Sequence, residues 1–162
     1  MRRQAGQRRL ITLERTYRAT VEEVWELWTT KEGIDSWWGP DGFRVEVQAI
    51  DLRPGGEMTY TMSAVGPDQV RFLEEAGMAL RQELHLTFTE VVPRRRLAYL
   101  HRVDFMPGVE PYDVAHIVEL EAAEDGVRMR LTLEAMHDDR STQLAVAGWE
   151  NELGKLERAL AA

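Results

Sequence analysis

The sequence predicts an α+β domain: a curved antiparallel sheet of about seven strands, two short helices after the first strand, and a long C-terminal helix packed across the sheet. Three observations predict it. Residues 10 to 136 fall mostly into short runs in which apolar side chains alternate with charged or β-branched ones, the period of a strand with one buried face. Brief turn signals such as Arg53-Pro54-Gly55-Gly56 separate these runs, and short connections make sequential strands antiparallel neighbours. From Asp139 to Ala162 the period changes: Leu144, Gly148, Trp149, Leu153, Leu156 and Leu160 share one face at helical spacing, while Glu150, Lys155, Glu157 and Arg158 sit mostly away from it.

In chain order, Leu10 to Tyr17 is a strand in which Ile11, Leu13 and Tyr17 alternate with threonines. Thr20, with Glu23 three residues on, forms a capping box that opens a helix placing Val21, Val24, Trp25 and Trp28 on one side. A second short helix, Lys31 to Trp38, ends at Gly39-Pro40, which cannot continue it. Strands follow over Phe43 to Leu52 and Glu57 to Ala64. An insertion-like helix then opens at Pro67-Asp68, carries Phe72, Leu73 and Ala76, and closes at Gly77. Gln82 to Val92, Leu97 to Phe105, Tyr112 to Ala122 and Val127 to Met136 complete the sheet.

Composition narrows the function classes. The chain has 162 residues, enough for one domain with a real core, and 44% hydrophobic with 30% charged residues is globular usage. A net charge of -8 argues against a general nucleic-acid binder, which needs a basic footprint. Arg2, Arg3, Arg8 and Arg9 precede the first acid and read as a flexible basic N-terminus over residues 1–9; Arg94-Arg95-Arg96 reads as a solvated hairpin turn. With no cysteine, disulfides and thiolate chemistry are excluded, and no apolar run is long enough to span a membrane. A cytoplasmic protein is the expectation, as monomer or homodimer. Nothing in the sequence calls for a cofactor.

Alternation assigns the concave wall. Met58, Tyr60 and Met62 oppose Glu57, Thr59 and Thr61; Leu84, Leu86 and Phe88 oppose Glu83, His85 and Thr87. Tyr99, His101 and Val103 share the inner face with Tyr112, Val114, His116, Val118 and Leu120, and Glu134 falls on the outer one. Three tyrosines and two histidines on an otherwise apolar wall are more polar heads than a simple core takes, since each needs a partner when buried. Either they satisfy one another, or they line a ligand pocket of the usual kind, apolar with a few converging polar groups. His101 and His116 are expected on neighbouring strands about one residue out of register. Gly148, costly mid-helix by roughly 1 kcal/mol, is expected where the sheet or a ligand approaches the helix most closely.

The stretches RTYRATVEEVWELWTTKEGIDSWWGPDGF, DLRPGGEMTYTM and GWENELGKLERAL together resemble the family named after the activator of the ninety-kilodalton heat-shock protein ATPase, within the START-like (SRPBCC) superfamily. The resemblance implies a helix-grip fold, a single START-like domain over residues 10–162, and a hydrophobic cavity between sheet and C-terminal helix. Trp28, Trp38, Met58, Tyr60, Met62, Phe88, Tyr99, His101, Tyr112, His116, Gly148 and Trp149 are therefore the candidate ligand-binding residues. No catalytic motif is carried over.

The function expected is binding of a small, largely hydrophobic molecule. One alternative is a co-chaperone-like module that contacts a protein client. Another is a cyclase- or hydrolase-like enzyme on an aromatic or polyketide-like substrate, with His101 or His116 as acid–base group. No histidine spacing suggests a metal site, and Ser36, Ser63 and Ser141 have no evident base beside them.

Overall fold

Strand β1 (Leu10–Tyr17) is followed by helices α1 (Val21–Thr29) and α2 (Lys31–Trp37), then by β2 (Phe43–Ile50) and β3 (Glu57–Ala64). Helix α3 (Pro67–Glu75) separates these from β4 (Arg81–Val92), β5 (Arg96–Val103), β6 (Tyr112–Ala123) and β7 (Gly126–Glu134), and α4 (Asp139–Ala161) closes the chain. This computed structural model describes residues 8–161; Arg2, Arg3 and the rest of residues 1–7 lie outside the described residues. All strands form one antiparallel sheet in the order β1-β7-β6-β5-β4-β3-β2. From β2 to β7 it is a meander, and β1 returns to pair with β7, Leu13 opposite Leu131.

Local chemistry explains the elements. Thr20 and Glu23 form the expected box: Thr20 Oγ1 accepts from the Glu23 N–H at 3.1 Å, and Glu23 Oε1 accepts from the Thr20 N–H at 3.1 Å. Thr30 both ends α1 and caps α2, accepting from the Gly33 N–H at 3.0 Å. Strand β2 is a sheet edge, and α2 covers it. Asp35 accepts the Val47 N–H at 2.8 Å and Lys31 donates to the Val47 carbonyl at 3.0 Å, beside a break in register between Val47 and Ala49. A second break lies between Phe88 and Glu90 in β4. Such bulges bend the strands that carry them, which is how the sheet becomes concave.

Arg8 packs over the Tyr112 ring, 4.8 Å from its centroid, and donates to the Asp113 carbonyl. It also approaches Glu134, which is buried although alternation places it on the outer face. The reason is a backbone demand: the Glu134 carboxylate accepts the Ala115 N–H at 2.8 Å.

Helix α4 is capped by Asp138, whose carboxylate accepts the Ser141 N–H at 2.7 Å. Its C-terminal half is buried: Leu153 and Leu156 belong to the core with Tyr17, Val24, Trp28 and Ile34, and the Tyr17 hydroxyl donates to the Leu153 carbonyl at 3.3 Å. Its N-terminal half departs from the expected packing stripe. Leu144 is 59% exposed, and a Cβ added at Gly148 would meet no atom within 4 Å. The close approach of sheet to helix expected at Gly148 does not occur, because α4 rests on α1 and α2 and stands off the strands. Leu156→Ala is therefore expected to cost about 2–5 kcal/mol in a urea melt, as a cavity-forming core change, whereas Leu144→Ala stays within about 0.5 kcal/mol.

Candidate functional site

Where α4 stands off the sheet, a cavity of about 260 Å³ remains. Its floor is apolar and comes from Leu84, Val103, Val114 and Leu133 on β4 to β7. Leu144, Ala145, Gly148 and Trp149 of α4 form the roof, and Trp38-Gly39-Pro40 after α2 forms one end. A smaller void of about 100 Å³ beneath α3 shares Met62, Leu84 and Phe105 with it. A larger groove of about 630 Å³ lies elsewhere, at the β4–β5 turn. It is a charged surface in which Arg96 pairs with Glu90 at 2.7 Å and with Glu119 at 3.0 Å.

The end formed by Trp38 and Gly39 is held by side chains of α4. Glu152 accepts the Gly39 N–H at 2.6 Å, Lys155 donates to the Gly39 carbonyl at 2.7 Å, and Asn151 accepts the Asp41 N–H at 2.7 Å. Gly39 itself has φ of 85°, and a side chain there would lie 2.9 Å from Val45. Above this loop the indoles of Trp28, Trp37, Trp38 and Trp149 lie against one another, every pair of ring centroids between 4.7 and 6.3 Å apart.

Three polar side chains of the sheet converge on the cavity. The His101 Nδ1 faces the Arg102 carbonyl at 3.1 Å; a carbonyl only accepts, so Nδ1 carries the proton and Nε2 the lone pair. The Tyr60 hydroxyl, 2.7 Å from Nε2, is then the donor of that bond, and its oxygen keeps its acceptor capacity. His116 repeats the pattern: Nδ1–H donates to the Val114 carbonyl at 3.1 Å, which leaves the Nε2 lone pair without a partner among the described residues. The His116 ring stacks on Tyr99 at 4.9 Å. Burial pushes the pKa of His101 down to about 4 and that of His116 to about 3, the latter helped by the neighbouring His101. Burial also raises the Tyr60 hydroxyl well above its ordinary value, so the three groups are neutral at neutral pH.

The sequence-derived candidates separate into two sets. Trp38, Tyr60, Met62, His101, His116, Gly148 and Trp149 line the cavity together. Trp28, Met58, Phe88 and Tyr99 face the same side of the sheet but are enclosed in the core. Tyr112 sits beyond the cavity, where its hydroxyl lies 2.7 Å from His137 Nδ1 and accepts the His137 N–H at 3.2 Å. His101 lies opposite Val114 and His116 opposite Tyr99, an offset of two residues rather than one. Two side chains on one face of an antiparallel pair must differ by an even number. Ser141 does have a base beside it, His137 Nε2 at 3.3 Å, but this hydroxyl is buried at the helix cap. Among the described residues no group of three or more His, Asp or Glu converges as a metal-ion site.

Glu152 was missed. It lines the cavity, and burial lifts its pKa to about 7 against the opposing effects of the Gly39 N–H and Lys155. Its place in sequence, four residues after Gly148 and three after Trp149, puts it on their helix face, a signal that its charge obscured.

A concave seven-stranded sheet gripping a C-terminal helix, with an apolar cavity between them, defines a START-like domain. The chain belongs to the family described as Activator of Hsp90 ATPase homolog 1-like protein, whose model matches residues 18–161. No curated protein matches it in sequence. Among solved structures, a protein from Chromobacterium violaceum is 21% identical, with 95% of this chain and 99% of that chain covered and a TM-score of 0.77. An AHSA1-like protein from Aeromonas hydrophila is 22% identical, covering 93% and 90%, at a TM-score of 0.71. The AHSA1 protein from Silicibacter pomeroyi is 21% identical, covering 94% and 98%, at a TM-score of 0.72. These likenesses concern the fold. No helix among the described residues is long and apolar enough to cross a membrane.

The two cavity histidines, His116 buried and His101 half-buried, imply acid sensitivity with a definite sign. Unfolded, each ring takes up a proton below about pH 6.5; folded, it does so only near 4 or 3. Their environment therefore costs nothing above pH 6.5 and destabilises the fold progressively as pH falls below it, by up to about 1.4 kcal/mol per pH unit for each ring. Glu152 opposes this: its raised pKa favours the fold at low pH, a contribution lost as pH rises from its unfolded value through about 7. The net expectation is falling stability between about pH 6.5 and 4. NMR resonances of the folded protein should keep His116 at its neutral-ring position throughout that fall, with His101 leaving its own only as pH nears 4.

Proposed function

We propose that this chain binds a small, largely apolar molecule in the cavity between the sheet and α4, with a polar end near Tyr60, His101 and His116. The observation that carries this is the lining itself. The floor is aliphatic, the polar side chains are few, and both histidines are neutral and already oriented by the backbone, as small-molecule sites require. At about 260 Å³ the space suits a ligand of one or two rings rather than a long lipid. Gly148 supports the reading, because a roof residue without a side chain leaves room that the sheet does not fill. Contact with a protein client is a second reading, carried by the family's description as a homologue of an ATPase activator.

A titration with an environment-sensitive apolar fluorophore, read also through Trp149, separates the two. Gly148→Leu adds four carbons at the cavity roof, the first of which meets no atom within 4 Å. It should weaken the probe at least about tenfold, roughly 1.4 kcal/mol, without lowering the melting temperature, since leucine is a better helix former than glycine. If the wild-type protein takes up no probe, or if Gly148→Leu leaves uptake unaltered, the cavity reading fails. Capture of a client that is indifferent to Gly148→Leu would favour the second reading.

A further inference from the structure

The cavity is lopsided in its hydrogen-bonding capacity. Its polar side chains offer three acceptors: the His116 Nε2 lone pair, the Tyr60 oxygen, whose proton is committed to His101, and the Glu152 carboxylate, of which Oε1 holds the Gly39 N–H. Side-chain donors are confined to two indole N–H groups, and that of Trp38 is closed off by surrounding protein atoms. Among the lining residues described there is no lysine or arginine. Lys155, the nearby cation, spends its ammonium on the Gly39 carbonyl. A ligand with an anionic or acceptor-rich end would meet lone pairs and a carboxylate, and no cation to offset its desolvation.

Aromatic rings stand around the same end. Trp38 is nearly perpendicular to Tyr60, at 88° with centroids 5.3 Å apart, and to Trp149, at 82° and 6.1 Å. Ring faces carry negative potential and attract a cation, more strongly when both are out of water. Carboxylate, free acceptors and aromatic faces favour the same chemistry.

We propose that Glu152 makes this cavity selective for a cationic ligand: a small apolar molecule ending in a protonated amine, with the ammonium against the Glu152 carboxylate and the apolar body over Val103, Val114 and Leu133. The inference rests on the ligand-binding reading above and narrows it to one class. A protonated amine supplies what the site lacks, donors and a positive charge, and a charge-assisted bond to a carboxylate is about twice as strong as a neutral one. Glu152 also holds the Gly39 loop, a role that glutamine can keep, since an amide oxygen accepts an N–H as a carboxylate does.

Proton linkage gives the site a signature. The groups around Glu152 are Lys155 on its own helix, Tyr60 and Tyr99 from β3 and β5, and the two histidines. Both tyrosines are raised and both histidines lowered, so Glu152 is the member of this set that titrates between about pH 5 and 8. An ammonium selects its ionised form, and below about pH 7 that form must first be made by releasing a proton, so affinity falls as pH falls.

The test uses three probes with one skeleton, phenylpropylamine, phenylpropanol and phenylpropanoate, titrated into the whole protein by NMR and tryptophan fluorescence. At about pH 8 the amine is expected to bind about tenfold or more tighter than the alcohol, as a charge-assisted bond predicts, and the carboxylate weakest. Glu152→Gln should remove most of the amine's advantage, leave the alcohol within about twofold, and abolish the pH dependence of amine binding. Alcohol binding that matches the amine, or an amine preference that survives Glu152→Gln, would overturn the selectivity while leaving the cavity reading intact. If no probe binds, both readings fall. Should Glu152→Gln not fold, the wild-type ratio of amine to alcohol and its decline below about pH 7 decide the matter.

Discussion

The mutual packing of Trp28, Trp37, Trp38 and Trp149 is the constraint on which the rest of the structure depends. Trp28 comes from α1, Trp37 and Trp38 from the end of α2, and Trp149 from the middle of α4, so one cluster joins three helices. Each aromatic pair contributes on the order of 0.5–1.5 kcal/mol beyond simple burial. The Trp28 N–H points to the Met129 sulfur at 3.2 Å and the Trp37 N–H donates to the Leu27 carbonyl at 2.7 Å, which fixes those rings to β7 and to α1. Four indoles are bulky, and they act as a spacer. Beyond Trp149, toward the N-terminus of α4, no side chain of comparable size continues the wedge, and the sequence there is Leu144-Ala145-Val146-Ala147-Gly148. The cavity is the space that this change in side-chain size leaves open.

The hydrogen bonds around the cavity follow from its surroundings. A buried imidazole must be neutral, and a neutral imidazole has one donor and one acceptor. In both histidines the backbone takes the Nδ1 proton, which turns Nε2 inward as an acceptor. Trp38 and Tyr99 each keep a buried donor without a partner among the described residues. Such a group costs about 1–3 kcal/mol; Trp38 lies at the polar end of the cavity, whereas Tyr99 is enclosed in the core behind it, stacked on His116. At Trp38, stability is given up at the end where a ligand's polar group would sit, a pattern common to binding sites.

Much of this was legible in the sequence. Strand alternation located the inner face of β3 to β7, and the capping box at Thr20 and the stop at Gly39-Pro40 bounded the small helices. The closing helix was legible as a helix, but Leu144 and Leu153 look equivalent in a periodic stripe, although one is exposed and the other buried. Alternation names a face and not a position along it. Met58, Phe88 and Tyr99 thus read as cavity residues, although core side chains enclose them. The burial of Glu134 and the place of Glu152 in the cavity escaped sequence reasoning for a shared reason. A charged residue is assigned to solvent by default, and only the three-dimensional structure shows the backbone N–H, of Ala115 or of Gly39, that brings it inside.

The central claim is that the helix is propped away from the sheet and the space beneath it is open to a ligand. A crystal of the protein pressurised with xenon tests this most directly, because xenon enters apolar space of sufficient size without needing the right functional group. The account predicts a xenon site between the Val103, Val114 and Leu133 floor and the Gly148 and Trp149 roof. A floor and roof in direct contact, with Leu144 or Trp149 turned down into the space and no xenon bound, would contradict it.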